Sequence, residues 1–161
     1  MNWKTHLTVA AVIEANDRFL MVKEHASGKL VLNQPAGHLE PGETLVEAVA
    51  RETLEETAWQ FTPESLLGIY QWHQAARQRT YLRFAFCGSV YGHDPDRDLD
   101  QGIVDALWLS REELEKRCMQ LRSPMVMRCV DDYLEGQRHP LDILTPLEEN
   151  PLTLGLLAGM R

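Results

Sequence analysis

Cysteine is scarce in this 161-residue chain, which has only Cys87, Cys118 and Cys129 and no CxxC spacing. An odd, scattered set excludes a disulfide framework and a paired zinc site, and it fits reduced thiols in a cytoplasmic protein. Basic residues are few: 16 Lys and Arg stand against 24 Asp and Glu, a formal net charge of −8. That balance excludes the basic face of a nucleic-acid-coating protein. It leaves a small phosphorylated ligand open, because bound cations invert the local field at a site. Long apolar runs are missing as well. Lys4 and His6 interrupt the first residues, so no secretory signal is expected there. The apolar stretch 152–160 is too short to span a bilayer. The expectation is one domain over 1–147 without a membrane segment, a monomer or homodimer, followed by a 148–161 tail of open role.

Glutamate, by contrast, is concentrated. Residues 37–59 carry Glu43, Glu47, Glu52, Glu55 and Glu56 around a single Arg51. Pro41-Gly42 marks a turn, and Thr44 with Glu47 three residues on is a capping box, so a helix is predicted over 45–57. At 100° per residue, Leu45, Val49, Glu52 and Glu56 share one line, Glu55 flanks it, and Val46, Ala50 and Thr53 form the adjoining strip. An azimuth that begins apolar therefore ends in carboxylates. Such acids repel one another and resist burial unless something neutralises them. Oxygen-rich clusters of this kind suit Mg²⁺ or Mn²⁺ and serve phosphate chemistry. The plainer reading is a solvated acidic face.

Gly37, five residues, Glu43, seven residues, Arg51-Glu52 and then Glu55-Glu56 resemble the signature of the Nudix hydrolases. The likeness extends through Asn33-Gln34-Pro35-Ala36-Gly37-His38-Leu39-Glu40, Gln71-Trp72, Leu82-Arg83-Phe84, Leu121-Arg122-Ser123-Pro124 and Gly136-Gln137-Arg138. These segments are similar to the bacterial NudJ-type phosphatases over roughly 5–145. Two positions depart from the Nudix pattern: Thr53 replaces an aliphatic residue and Ala58 a glycine. If the helix must end with φ > 0, Ala58 costs on the order of 1 kcal/mol; a differently built end is the alternative.

The resemblance implies a metal site of Glu52, Glu55, Glu56 and the Gly37 carbonyl, with one glutamate a possible base. Arg51 is read as orienting a neighbouring glutamate through a forked pair, or else as a surface partner of Glu47 or Glu55. Glu43 near the helix start is read as structural, with a metal role as the second choice. Many Nudix enzymes draw a further acid from the segment before a late Trp; ahead of Trp108 the candidates are Asp100 and Asp105. Substrate-contact candidates are Gln34, His38, Trp72 and Arg83. Trp72 and Tyr81 have the rings to stack on a flat base, and Arg83 the charge to meet a phosphate. Two have a bland counterpart, His38 as a hydrogen-bonded spacer and Arg83 as one position of a strand face beside Tyr81 and Ala85.

Elsewhere, strands are predicted over 6–13, 18–23, 30–33, 65–73, 79–90 and 104–109, with an Asn16-Asp17 turn, a polar 74–78 hairpin and an acidic 93–102 loop. Helices are expected after Ser110 and over 124–135. This order implies an α/β/α sandwich with a mixed sheet, as the resemblance does. The implied activity is Mg²⁺- or Mn²⁺-dependent release of orthophosphate from nucleoside di- and triphosphates, thiamine diphosphate or hydroxymethylpyrimidine diphosphate. The alternatives are an ADP-ribose or dinucleotide pyrophosphatase and a non-catalytic nucleotide-sensing module. Such modules usually lose the acids that are all present here.

Overall fold

Runs of apolar residues, buried on both faces of the central strands, build two sheets in the computed structural model, which describes residues 3–147. The tail expected over 148–161 lies outside the described residues. The strands are β1 (Lys4–Val12), β2 (Glu14–Ala15), β3 (Arg18–Ala26), β4 (Lys29–Asn33), β5 (Ala36–His38), β6 (Gln60–Gln74), β7 (Arg79–Tyr91) and β8 (Ile103–Leu109). The helices are α1 (Leu45–Thr57), α2 (Arg111–Lys116) and α3 (Pro124–Leu134). The mixed sheet runs β5-β1-β7-β6, with β1 parallel to β7 in the register Val9↔Phe84 and the other pairs antiparallel. A second, antiparallel sheet joins β2, β3 and β4, and β8 pairs with β3.

Both faces of the central strands are covered. Val9, Ala11, Ile13 and Phe86 pack with Ala48 and Val49 of α1, while Val12, Ala85 and Cys87 pack with Val126, Cys129 and Val130 of α3. Successive residues of β1 and β7 thus feed opposite layers, as the pleat requires. Arg83 and Ala85, which share one face of β7, are both buried.

Turn chemistry places the strands as the residues dictate. Asn16 and Asp17 both take φ > 0, the conformation a two-residue hairpin of the primed type needs. The 74–78 hairpin contains a 3₁₀ turn, Ala75–Arg77. β6 begins at Gln60, earlier than expected, and runs through Pro63 with register shifts between Pro63/Ser65 and Leu66/Gly68. Proline is tolerated because β6 is a sheet edge and bulges there. Among the described residues, no helix is long and apolar enough to cross a membrane.

Candidate active site

The capping box at the start of α1 forms as its residues require. The Thr44 hydroxyl accepts from the Glu47 amide at 3.2 Å, and the Glu47 carboxylate accepts from the Thr44 amide at 2.8 Å. Such a box contributes about 1 kcal/mol and fixes the phase of the helix. With that phase, Glu52 and Glu56 fall beneath Val49 and are buried, 8% and 6% exposed, whereas Glu55 stays at the margin. The helix ends on Ala58 in the left-handed region (φ 59°), its amide donating to the Leu54 carbonyl. The end is therefore built as a glycine would build it, in spite of the methyl.

Gly37 is required by space rather than by φ. A Cβ there would lie 2.0 Å from Glu52 Oε1 and 2.1 Å from its Cδ, so the glycine forms the cradle for that carboxylate. Arg51 gathers the neighbouring acids. It holds Glu43 through both Nε and Nη2, Glu52 Oε1 at 2.9 Å and Glu55 Oε2 at 3.0 Å through Nη1, and the His38 carbonyl at 3.1 Å. Glu43 also accepts from the Glu40 amide at 2.9 Å. Glu47 is occupied by its cap.

Charge and burial oppose one another here. Burial holds the Glu52 carboxyl above its ordinary range, with Arg51 opposing and Glu55 and Asp100 adding to the shift. Burial pushes Glu56 up to about 9, although the Ala36 amide donates to it at 2.9 Å; Glu24, Glu52 and Asp100 add their charges. Hydrogen bonds from Arg51 hold Glu43 low.

Among the described residues, no three acidic, His or Cys side chains converge as a ready ligand set; Arg51 and the Ala36 amide hold the box acids instead. The donor chemistry nevertheless fits a hard divalent cation. Three carboxylates project from one helix, two of them buried, and a glycine cradle admits one of these beside the backbone.

Next to this helix end lies a cavity of about 260 Å³ walled by Gly37, His38, Trp72 and Tyr81. Lys29, Arg77, Arg83 and Arg122 also line it, and no lining residue is acidic. In a chain of net charge −8, such a wall focuses positive potential. His38 is one side of it; burial, then His6 and Arg122, lowers its pKa, and its Nε2 sits 3.2 Å from His6 Nδ1. Tyr81 stacks between His6 and Trp72, at 4.9 and 5.5 Å between centroids, so neither of its faces is free for a ligand ring. Arg83, 4% exposed, is held by Gln34 Oε1 at 3.0 Å and Asn33 Oδ1 at 3.1 Å. Gln34 lies behind the wall and donates to the Val126 carbonyl at 2.8 Å. A larger cavity of about 550 Å³ between β6 and α3 shares Trp72 but includes none of the box residues.

The two candidate bases sit on different elements with different neighbours. The 93–102 loop is stitched to α1: Asp94 N–H donates to the Ala58 carbonyl at 3.0 Å and Asp100 N–H to the Glu55 carbonyl at 2.8 Å. These bonds satisfy carbonyls that a helix end leaves open, and they bring the Asp100 charge to bear on Glu52 and Glu56. The loop is thus tied down rather than free to swing. Asp105 is exposed on β8, opposite Lys23.

Glu24 was not legible in the sequence. It sits at a register shift in β3, buried, accepts from Arg122 Nη1 at 2.7 Å, and its charge acts on Glu56. Its partner is 98 residues away, so no local spacing signals the pair.

Oxygen donors on a helix beside a cationic wall are equipment for cleaving phosphoric anhydrides. The NUDIX domain family model matches residues 4–129. Phosphatase NudJ of Shigella boydii serotype 4 (strain Sb227) is 41% identical over 155 residues, covering 96% of this chain and 99% of that relative. Phosphatase NudJ of Escherichia coli (strain K12) is 40% identical over the same coverage. Among solved structures, a NUDIX hydrolase from Nitrosomonas europaea has a TM-score of 0.88 and 51% identity, covering 91% of this chain and 99% of that one. The MutT NUDIX hydrolase from Burkholderia pseudomallei shares the fold, with a TM-score of 0.68 at 18% identity over 80% of this chain and 97% of its own. The chain belongs to the Nudix hydrolase family and is an enzyme that hydrolyses phosphoric anhydrides. Nudix hydrolases generally use divalent metal ions.

Proposed function

We propose that this enzyme releases orthophosphate from small organic diphosphates: nucleoside di- and triphosphates, and thiamine-related compounds such as thiamine diphosphate and hydroxymethylpyrimidine diphosphate. The observation that carries the reading is that buried Glu52 and Glu56 lie against Gly37 and Ala36, which line a cavity with four cationic and no acidic lining residues. The names of the NudJ relatives support the phosphatase reading over the ADP-ribose or dinucleotide pyrophosphatase. We assign Glu52, Glu55, Glu56 and the Gly37 carbonyl to Mg²⁺ or Mn²⁺, which when bound supplies charge neutralisation and an activated water.

The chain's own groups do the rest. Arg51 fixes Glu52 and Glu55 and keeps them from splaying apart. Asp100 is favoured over Asp105 as general base because its charge bears on both buried acids. Arg83 and His38 are assigned to the substrate phosphate, Trp72 to its ring, and Gln34 to holding Arg83. We assign residues 1–147 to the catalytic domain, as monomer or homodimer, in the cytoplasm.

The test is a panel of diphosphate compounds incubated with protein and Mg²⁺, with every product identified. Orthophosphate appearing directly supports the reading; two monophosphates from ADP-ribose would replace it. EDTA should abolish turnover, and Glu55→Gln or Glu56→Gln should each lower it at least about 100-fold.

A further inference from the structure

Five buried side-chain atoms among the described residues have no hydrogen-bond partner, and four of them, Thr8 Oγ1, Gln74 Oε1, Arg83 Nε and Ser123 Oγ, belong to residues that line the 260 Å³ cavity. Folded proteins rarely leave such atoms orphaned, so a cluster of them around one cavity calls for partners from within it, supplied by ordered water or by a bound ligand. Gln74 tells little, since its amide turns over to offer either a donor or an acceptor. The other three all have N–H or O–H groups to donate.

Ser123 is the most informative. It is 7% exposed and occupies the N-cap position of the 11-residue α3, yet its side chain makes no capping bond. It is held there by the preceding residues. Leu121 bridges in parallel to Leu32 of β4, and the Arg122 amide donates to the Leu32 carbonyl at 2.9 Å. The helix therefore opens onto the cavity with a free hydroxyl and the positive end of its dipole. Thr8, 8% exposed, contributes a second free hydroxyl from β1, and Arg83 a buried guanidinium bonded to two neutral carboxamides, with the Cys129 thiol beside it and the Glu24 charge acting on it. No carboxylate is hydrogen-bonded to this buried cation, which leaves it able to take an anion.

We propose that Ser123, Thr8 and Arg83 form an oxyanion subsite that grips the phosphoryl group remaining on the organic product, separate from the carboxylates of α1. This rests on the substrate cavity assigned above and deepens it. With a diphosphate, water adds to the terminal phosphorus, the bond from that phosphorus to the bridging oxygen breaks, and the bridging oxygen leaves with the organic monophosphate. The products are orthophosphate, the monophosphate and one proton passed to solvent. Gripping the inner phosphoryl group directs attack to the terminal one, so substrates need at least two phosphoryl groups, whereas a single phosphate suffices to fill the subsite.

Inorganic phosphate titrated into the full chain in EDTA, followed by calorimetry, tests the subsite without turnover. Wild type should bind phosphate, and Ser123→Ala and Thr8→Val should each weaken it about 10-fold. With Mg²⁺, both should raise KM for a diphosphate about 10-fold while kcat stays within about 3-fold. Should Ser123→Ala not fold, Ser123→Gly keeps a tolerated N-cap and must show the same loss. No phosphate binding by wild type, or unchanged binding in the folded variants, overturns the subsite even if hydrolysis proceeds. Phosphate binding that depends on Ser123 in a protein that cleaves no diphosphate keeps the subsite and sinks the phosphatase reading.

Discussion

Gly37→Ala puts a methyl where the Glu52 carboxylate now lies. The added Cβ would stand 2.0 Å from Oε1 and 2.3 Å from Oε2, against an ordinary contact of about 3.4 Å or more, so the carboxylate must move by more than about 1 Å. Glu52 is buried and bonded to Arg51 at 2.9 Å, and it cannot yield that far without breaking the bond or leaving its rotamer. A lost charge-assisted hydrogen bond costs about 1.5–3 kcal/mol and a strained rotamer about 0.5–1.5 kcal/mol. Arg51 keeps Glu43 and Glu55, which offsets part of this, so a net destabilisation of about 1–3 kcal/mol is expected. Displacing a catalytic group by about 1 Å costs on the order of 100-fold in rate. Differential scanning calorimetry and orthophosphate release measure the two effects on one preparation. The control is Glu52→Ala, in which the new methyl meets nothing from residue 52, so Gly37→Ala should then cost little further stability. If Gly37→Ala retains kcat/KM within about 3-fold of wild type, or costs the same stability in both backgrounds, the cradle is not what this glycine provides.

Arg51→Lys keeps the charge but loses the fork that spans Glu43, Glu52 and Glu55, so kcat/KM should fall about 10- to 100-fold in steady-state kinetics while the fold persists. Ala58→Gly relieves left-handed strain of about 1–2 kcal/mol and adds back some unfolded-chain entropy, for a net gain of about 0.5–1 kcal/mol, read as a higher Tm with activity unchanged. Glu56 gives a pH signature in EDTA. Burial holds its folded pKa near 9 against an ordinary value of 4.5, so between these the folded chain binds the proton that the unfolded chain has lost, and stability falls as pH rises. Glu56→Gln cannot ionise; it should melt higher than wild type at about pH 8 and equally at about pH 4, and a Tm gain of the same size at both values would contradict the assignment.

The helix over 45–57 and its Thr44 cap followed from local chemistry, because capping and the 100° step act within one or two turns. The same rule put Glu52 and Glu56 in line with Val49 and so aimed them inward. The Asn16-Asp17 turn was equally local, since its conformation depends on two residues. Contacts across the fold were not legible this way. Gly37 meets Glu52 because β5 pairs with β1 and α1 packs on the same sheet. Arg83 is buried rather than exposed because both faces of β7 are covered. Glu24 finds Arg122, and Ser123 opens onto the cavity, because the 121–122 segment lies along β4. Sequence alone determined which way each short element turns its side chains, since that depends on backbone geometry over a few residues. Strand order and register decided which of those side chains meet, since residues as much as 98 apart are brought together only once the sheets have formed.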